Sequence, residues 1–274
     1  MIDYITSKLI KIGLLSLVII LASFFIFPIV SERGSFQKKV IEDLYKGWGG
    51  NQTLAGPILV IPFTKGEKDK TTTHYQVLRP TSLNATAALA PEVRYKGIYR
   101  SILFSANTEM EGEFNLAQLP ARNYQLDKAR ICLGISDIKG IKDATVLFGA
   151  DNINAEPGTH PSLPYRGIHC TVSLTHLKST FPYKINLSLK GGGMFNLSPM
   201  GQTTTLSLEA PWTDPSFEGD FLPTKRKIST DSFTAQWSIN HLAQGYTKTC
   251  TTDEFTRATP PYLHEKIRCK TPYP

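Results

Sequence analysis

The strongest apolar run in the chain lies close to its N-terminus. Residues 12–30 read IGLLSLVIILASFFIFPIV and contain no charged side chain. As an α-helix this run would extend about 28 Å, which matches the hydrocarbon thickness of a bilayer. The sequence therefore predicts one transmembrane helix, with the lipid bilayer as a partner.

Residues on either side of this run indicate its orientation. Lys8 and Lys11 precede it and favour a cytoplasmic N-terminus, although Arg33, Lys38 and Lys39 on the far side reduce the asymmetry. A cleaved signal peptide would have a shorter apolar core that ends in small residues, so an uncleaved anchor is favoured. No second run of similar length follows, and the remainder of the chain is expected on the periplasmic side of the inner membrane.

The composition fits a folded domain outside the membrane. Of the 274 residues, 41% are hydrophobic and 19% are charged, which is typical of a chain that can bury a core. The formal net charge of +7 is spread along the chain without a basic block. Because nucleic-acid surfaces concentrate positive charge on one element, nucleic acid is not an expected partner.

A short helix is predicted directly after the span. In SERGSFQKKVIEDLYKGW, the side chains of Phe36, Val40, Ile41 and Leu44 repeat at helical spacing, and Gly47 is a natural stop. Such a stripe lies either on the bilayer surface or against the following domain, and the second arrangement is favoured because it is the commoner one.

Beyond this helix, short runs of alternating apolar residues predict β-strands. KINLSLKG, TTLSLEA and FTAQWSI each place apolar side chains on one face, and turn-forming residues separate such runs. GIYRSILFSANTEMEGEFNL is predicted as a longer strand or a hairpin. The fold class is therefore mainly β, an antiparallel sandwich-like or barrel-like domain with one N-terminal transmembrane helix.

Three segments are predicted. Residues 1–30 form a cytoplasmic stub and the transmembrane helix, and residues 31–244 form the periplasmic β-rich domain with its membrane-proximal helix. Residues 245–274 are predicted as an irregular tail, because the alternation is lost and prolines cluster there.

The chain carries four cysteines, Cys132, Cys170, Cys250 and Cys269, which suit an oxidising compartment. They allow two disulfides with three connectivities, or four buried free thiols. None belongs to a CxxC pair, so the spacing of zinc and thioredoxin-like sites is missing.

Familiar catalytic and metal-binding motifs are missing as well. No GxSxG, HExxH or P-loop occurs in the chain. His169 and His176, with Cys170, would fall on opposite faces of a strand without a carboxylate cluster. No metal or other cofactor is therefore expected.

Scattered carboxylates keep an enzyme open as an alternative. A hydrolase acting on envelope glycans or lipids could take an acid–base pair from Asp137, Glu156, Asp214, Glu218 and Asp220. Acidic residues at strand ends more commonly stabilise turns, so a non-enzymatic protein is the leading hypothesis.

The run SFEGDFLPTKRKISTDSFTAQWSI combines aromatic, acidic and basic side chains. Glu218 and Asp220 precede Lys225 and Arg226 closely enough for ion pairs across a turn, and these four residues are the candidate surface contact.

A lipid or peptide binding module is a further alternative for the same run. It would require a large apolar pocket lined by residues such as Phe221 and Trp237.

Several pieces together resemble the CreD family of bacterial inner-membrane proteins, also called cell envelope integrity proteins. They are SERGSFQKKVIEDL, LAGPILVIPF, YKGIYRSILFSANTEMEGEF, ISDIKGI and PSFEGDFLPTKRKISTDSFTAQWSINHLA. Their order and spacing are similar to those of the family's outer domain from Ser31 to about Gln244.

The resemblance implies a function in envelope integrity and in the stress response governed by the CreBC two-component system, with links to colicin tolerance and β-lactam response. It implies other envelope proteins as partners. No enzymatic activity is established for the family, so no catalytic residue is carried over. Family members continue into further transmembrane helices, whereas the resemblance fades near Gly245, which predicts a member truncated before those helices.

Topology reporters test the orientation. We expect alkaline phosphatase, which is active only after export, to be active when fused at Pro274 and inactive when fused at Met1, because one span separates the two ends. A cytoplasmic C-terminus would contradict this orientation.

Overall fold

The apolar run forms the first part of one long helix. In a computed structural model that describes residues 2–66, 72–149, 151–176, 179–244, 247–257 and 267–271, helix α1 extends over Ile2–Trp48. α1 is long and apolar enough to cross a membrane, and its most apolar window is not buried in the protein. The predicted N-terminal apolar helix is confirmed.

The residues of the short helix predicted after the span are helical, but they belong to the same long helix as the span. α1 continues through Pro28 and past residue 30 without a break. Residues 31–46 contain one glycine and no proline, so the chain offers little that would stop the helix there. The predicted stripe does face the domain, because Val40, Ile41 and Leu44 are half-buried.

Eighteen strands follow α1 in the described residues. They are β1 Gln52–Lys65, β2 Thr72–Leu78, β3 Ser82–Lys96, β4 Tyr99–Asn115, β5 Asn123–Tyr124, β6 Ala129–Ile135, β7 Ile141–Phe148, β8 Asp151–Asn154, β9 Glu156–Pro157, β10 Gly167–Val172, β11 Thr180–Gly192, β12 Met194–Pro199, β13 Thr203–Ala210, β14 Ser216–Gly219, β15 Lys225–Ile228, β16 Phe233–Ile239, β17 Thr249–Thr251 and β18 Ile267–Lys270. Short 3₁₀ helices cover Leu116–Gln118, Leu126–Lys128, Ile138–Gly140 and His241–Ala243, and residues 252–257 are helical.

The strands form two mixed sheets. The first sheet has ten strands in the order β14-β18-β12-β1-β6-β10-β9, with β2 and β5 paired to β1 and β17 paired to β2. The second sheet has eight strands in the order β15-β16-β13-β3-β4-β11-β7-β8. Most pairings are antiparallel, but β1–β12 and β3–β13 are parallel. The predicted mainly-β fold is confirmed, with these two parallel pairings as a refinement.

The main core lies between the two sheets, which both contribute buried apolar side chains to it. Strand β16 shows the alternation most plainly, because its apolar positions from Phe233 to Ile239 are buried and the positions between them are exposed. This is the pattern of a sheet with one face in the core and one face in water.

Strand β1 differs because it is buried on both faces. Leu59 and Ile61 point into the main core, whereas Ile58 and Val60 belong to a second, smaller cluster on the other side of the first sheet. That cluster also contains Phe255, from the helical segment near the C-terminus. Burial on both faces explains why LAGPILVIPF is almost continuously apolar.

The prediction of an irregular tail is wrong for the described part of residues 245–274. β17 pairs with β2, and β18 lies between β12 and β14 inside the first sheet. Ile267 and Cys269 are buried in the main core. Two buried positions are too few to reveal a strand by periodicity, and the contacts come from distant parts of the chain.

Hydrogen bonds of the Gln52 side chain connect α1 with both sheets, and we call this group of contacts the joint. The buried side-chain amide of Gln52 lies 2.8 Å from the Gly49 carbonyl, 3.1 Å from the Asp137 carbonyl and 2.9 Å from the Lys190 carbonyl. Gly49 follows α1, Asp137 follows β6 of the first sheet, and Lys190 lies in β11 of the second sheet. One amide therefore connects the helix end with both sheets.

Aromatic contacts support the same joint. The Trp48 ring lies between the Arg94 guanidinium, 4.8 Å away, and the Lys190 ammonium, 4.1 Å away. The Tyr45 ring lies so close to Gly192 that a side chain there would collide with it, and a side chain at Gly193 would collide with the Asn51 amide oxygen beside the same ring. The direction of α1 relative to the domain is thus set by packing as well as by hydrogen bonds.

Replacing Gln52 tests the joint. We expect Gln52→Ala to lower the free energy of unfolding by about 2–4 kcal/mol, because one buried and two partly buried carbonyls lose their donor. The matched control is Gln236→Ala, since Gln236 is exposed on β16. Chemical denaturation of the full chain in detergent would measure both; equal effects of the two substitutions would contradict the assigned role of Gln52.

Candidate functional site

The aromatic run predicted from the sequence passes from the first sheet to the second. The Phe217 ring on β14 packs edge-on against Phe233 and Trp237 of β16, with ring centroids 5.6 and 5.4 Å apart. Trp237 is 2% exposed, and its indole N–H donates to the Phe221 carbonyl at 3.1 Å. Trp237 is thus packed and hydrogen-bonded instead of lining an open pocket, which weighs against the binding-module alternative.

The four residues of the candidate surface contact are divided between the sheets. Glu218 lies on β14 of the first sheet, and Asp220 follows that strand. Lys225 and Arg226 lie on β15, the edge strand of the second sheet. Glu218 forms its ion pair with Lys270 of β18, 2.5 Å away, instead of with a basic residue across a turn.

The two candidate basic residues of β15, Lys225 and Arg226, also point in opposite directions. Lys225 lies opposite Gln236, which is exposed, and Arg226 lies opposite Ala235, which is buried. Directly opposed residues share a face of a sheet. Lys225 therefore belongs to the outward face of the second sheet, and Arg226 to the side turned toward the other sheet.

The remaining carboxylates are dispersed. Asp137 caps the 3₁₀ helix Ile138–Gly140 by accepting from the Lys139 amide at 3.0 Å. Glu156 lies 3.5 Å from His169 at the β9 edge of the first sheet. Glu218 is six strands away from Glu156 in that sheet, roughly 29 Å along it, which is far beyond the spacing of a glycosidase pair. Asp214 is exposed before β14.

Of the two histidines considered as metal ligands, His169 has local partners and His176 is exposed. A ring nitrogen of His169, Nδ1, lies 3.0 Å from the Gly158 carbonyl, and His176 is exposed in the turn after β10. Within the described ranges, no group of three or more His, Cys, Asp or Glu side chains is arranged to hold a metal ion.

All four cysteines are buried and unpaired. Cys170 and Cys269 belong to the main core, whereas Cys132 and Cys250 belong to the smaller cluster, so the first sheet separates the two pairs. Along the sheet, Cys170 and Cys269 are four strands apart, roughly 19 Å, and Cys132 and Cys250 are three strands apart, roughly 14 Å. A disulfide requires Cα atoms within about 7 Å, so none of these pairs can bridge.

Burial also controls the chemistry of the thiols. It raises the pKa of Cys132 and Cys269 to about 12 and the pKa of Cys170 and Cys250 to about 11. The thiols therefore stay protonated at neutral pH, and a protonated thiol is a poor nucleophile and metal ligand.

The structure brings together a different group of residues on the outward side of the second sheet, which we call the polar face. One cross-strand row runs over all eight strands. It consists of Lys225, Gln236, Ser207, Thr86, Glu109, Asn186, Thr145 and Asn154. A neighbouring row crosses seven strands with Lys227, Thr234, Glu209, Ala88, Asn107, Ser188 and Asp143.

A depression of about 490 Å³ lies in the middle of the polar face. Its polar lining consists of Thr86, Asn107, Thr108, Glu109, Asp143, Asn186, Ser188, Ser207 and Glu209. Backbone and side-chain amides, hydroxyls and carboxylates at such a surface can donate and accept hydrogen bonds. The depression therefore suits a polar ligand or a polar protein surface.

Contacts between neighbouring strands hold the side chains of the polar face in place. Thr205 donates to the Asn84 amide oxygen at 2.7 Å, and Ser188 donates to the Asn107 amide oxygen at 2.9 Å. Lys184 lies 2.7 Å from Glu109, and this hydrogen bond raises the pKa of Lys184.

Sequence reasoning missed the polar face as a unit. The available signal is the series of polar residues at alternate positions, such as Asn107, Glu109, Glu111 and Glu113 in β4. This pattern shows that a face is solvated, but the pairing order that joins eight strands into one surface is not present in any single run.

Comparison with known proteins identifies the family. The family described as inner membrane protein CreD matches residues 4–266. The chain belongs to the CreD family. The match extends past Gly245, near which the quoted sequence pieces no longer resemble the family.

Inner membrane protein CreD of Escherichia coli (strain K12) is 28% identical to this CreD-family chain over 246 residues, which is 83% of this chain. The same alignment covers 53% of the Escherichia coli protein, so the chain spans about half the length of this curated relative. The predicted family and its inner-membrane character are confirmed.

Solved structures resemble this CreD-family chain only weakly. An M1 zinc metallopeptidase from Deinococcus radiodurans matches with a TM-score of 0.31 at 10% identity, over 59% of this chain and 39% of that one. Leukotriene A4 hydrolase from Saccharomyces cerevisiae matches with a TM-score of 0.33 at 11% identity, over 70% of this chain and 29% of that one. These scores are too low to support any inference about chemistry.

Alkylation tests the state of the thiols. At pH 8 we expect no iodoacetamide adduct on the native chain, because at a pKa of about 11 or 12 fewer than about one thiol in a thousand is ionised. Unfolding without reductant should then expose all four thiols, which mass spectrometry would count. Fewer than four adducts in the unfolded, unreduced chain would show disulfides and contradict the arrangement described above.

Proposed function

We propose that the chain is a non-catalytic inner-membrane protein that supports envelope integrity and the envelope stress response by binding another envelope protein through its polar face. The continuous polar row across eight strands is the observation that carries this proposal. The six-strand separation of Glu156 from Glu218 and the protonated state of the buried thiols support a non-catalytic role.

The proposed topology follows from α1 and its flanks. Lys8 and Lys11 favour a cytoplasmic N-terminus, and α1 then carries the β domain to the periplasmic side. In this arrangement the polar face is exposed to the envelope components of the periplasm.

The size of the polar face favours a protein partner. Eight strands at about 4.8 Å spacing give a width of roughly 34 Å, and positions 82–90 of β3 give a length of roughly 26 Å. The resulting area of roughly 900 Å² is close to the ~800 Å² that each partner contributes to a standard interface. Small-molecule sites are instead enclosed, whereas this depression is open to solvent.

Ordinary sheets of this class also have one solvated face, so polarity alone is not the argument. The polar face differs in two respects: it contains a central depression of about 490 Å³, and neighbouring strands hydrogen-bond its side chains to one another. Pre-organised side chains lose less conformational entropy when a partner binds.

An arginine placed in the depression tests the proposal. The assay expresses each variant in a strain that lacks the chain and scores sensitivity to detergent and to a β-lactam. The parent chain should rescue this strain. Thr86→Arg is expected to abolish the rescue, because the new side chain fills the contact surface. Thr171→Arg is the matched control, since Thr171 is exposed on β10 of the first sheet. We expect it to rescue fully.

Folding is checked in the same experiment. Both variants should keep the parent's midpoint of thermal unfolding, and Ser207→Arg, at the neighbouring position of the same row, should reproduce the loss. Full rescue by both variants of the polar face would contradict the proposal.

A further inference from the structure

The hairpin between β3 and β4 extends beyond the rest of the second sheet. The last residue of β3 that pairs with β13 is Ala88, and the pairing of β4 with β11 ends at Leu103. Beyond these points β3 and β4 pair only with each other, up to Lys96 opposite Tyr99. We call this two-stranded projection, residues 92–103, the ribbon.

The end of the ribbon exposes apolar and aromatic side chains. Ile98 is 88% exposed, Tyr95 is 68% exposed and Val93 is 47% exposed. Scattered exposed apolar residues are common, but an isoleucine at the tip of a projecting hairpin, beside tyrosines, is a concentrated apolar patch.

The ribbon runs along α1 toward the membrane. Arg94 lies over the Trp48 ring, Lys96 lies 3.7 Å from Asp43, and the Tyr99 ring lies 6.0 Å from the Phe36 ring. From Arg94 to the last pair of the ribbon, Lys96 and Tyr99, the contacts therefore move from Trp48 to earlier positions of α1. The tip points toward the apolar run that ends at Val30.

The distance along α1 places the tip at the bilayer surface. Phe36 is six residues beyond Val30, which corresponds to about 9 Å of helix. The headgroup region on each side of the hydrocarbon is roughly 5–8 Å thick. Tyr99, beside Phe36, thus lies at the outer edge of the headgroups. The exposed side chain of Ile98, the next residue, can therefore reach the headgroup layer.

The chemistry of the tip fits a lipid interface. Tyrosine is enriched at the membrane–water boundary, where an apolar ring and a polar hydroxyl are both satisfied. The ribbon carries three basic residues, Arg94, Lys96 and Arg100. Arg94 pairs with Glu92 and Lys96 lies near Asp43 of α1, so Arg100 supplies the positive charge that is complementary to anionic headgroups.

We propose that the tip of the ribbon, residues 95–99, inserts into the headgroup layer of the bilayer that α1 spans and forms a second membrane contact of the β domain. The contact holds for either orientation of α1, so it is independent of the function proposed for the polar face.

Labelled cysteines test the contact in the full chain. Ile98→Cys is compared with Leu242→Cys, because Leu242 is similarly exposed, at 82%, and follows β16 at the opposite end of the sheet. Ile239, at that end of β16, is level with Leu83 of β3, because both pair with Thr204. Lys96 at the tip lies thirteen residues beyond Leu83, so the control position is roughly 43 Å from the tip. The native thiols are buried and protonated, so the fluorophore NBD labels the introduced cysteine selectively.

The measurement uses vesicles of phosphatidylethanolamine and phosphatidylglycerol that contain a lipid with a nitroxide quencher near its headgroup. We expect NBD at position 98 to show blue-shifted emission and at least twofold quenching, and NBD at position 242 to show neither. The unfolding midpoint of each labelled chain verifies its fold.

Two results would overturn the proposal. Water-like, unquenched emission at position 98, as at position 242, would show that the tip lies in solvent. Blue-shifted emission without quenching by the labelled lipid would show that protein covers the tip, as in an association of two copies of the chain.

Discussion

Three backbone carbonyls from three parts of the chain converge on the side-chain amide of Gln52. They belong to the end of α1, to the turn after β6 and to β11, so this amide connects the membrane helix with both sheets. The Trp48 ring between Arg94 and Lys190 strengthens the connection. Without this joint, α1 would be a tether, and the position of the domain relative to the bilayer would be undefined.

The joint also relates the two proposed contacts to each other. β3 and β4 contribute Thr86 and Glu109 to the centre of the polar face, and the same two strands continue into the ribbon beside α1. Thr86 is ten residues before Lys96, or roughly 33 Å along the strand. A partner bound at the polar face would therefore lie at a defined height above the bilayer, in one orientation.

Local patterns predicted the elements that depend on local physics. The apolar run of residues 12–30 and the alternation in β16 are visible in the sequence, because a bilayer and a one-sided core each impose a period on the chain. The sequence does not predict that α1 continues beyond Pro28, because a proline and the end of the apolar run both suggest that a helix ends there. β18 was missed because its short run is buried only through pairing with β12 and β14.

The candidate surface contact shows the same limit of prediction from local sequence patterns. Glu218, Lys225 and Arg226 are close in sequence, but sheet pairing assigns them to different sheets and different faces, and Glu218 instead meets Lys270. Whether Glu218, Asp220, Lys225 or Arg226 contributes to a contact stays a prediction. The polar face depends on the order of eight strands, which no single run contains.

The contacts of Gln52 and Trp48 imply that α1 and the β domain form one rigid unit at the membrane. A pulsed electron-spin measurement of the distance between spin labels at Glu32→Cys on α1 and Asn84→Cys on the polar face, made on the full chain in bilayers, tests it most directly. Both positions are exposed, so the labels should not disturb packing. We predict one narrow distance distribution for the chain with Gln52 intact and a broader distribution for the Gln52→Ala variant. A broad distribution with Gln52 intact would contradict the rigid connection.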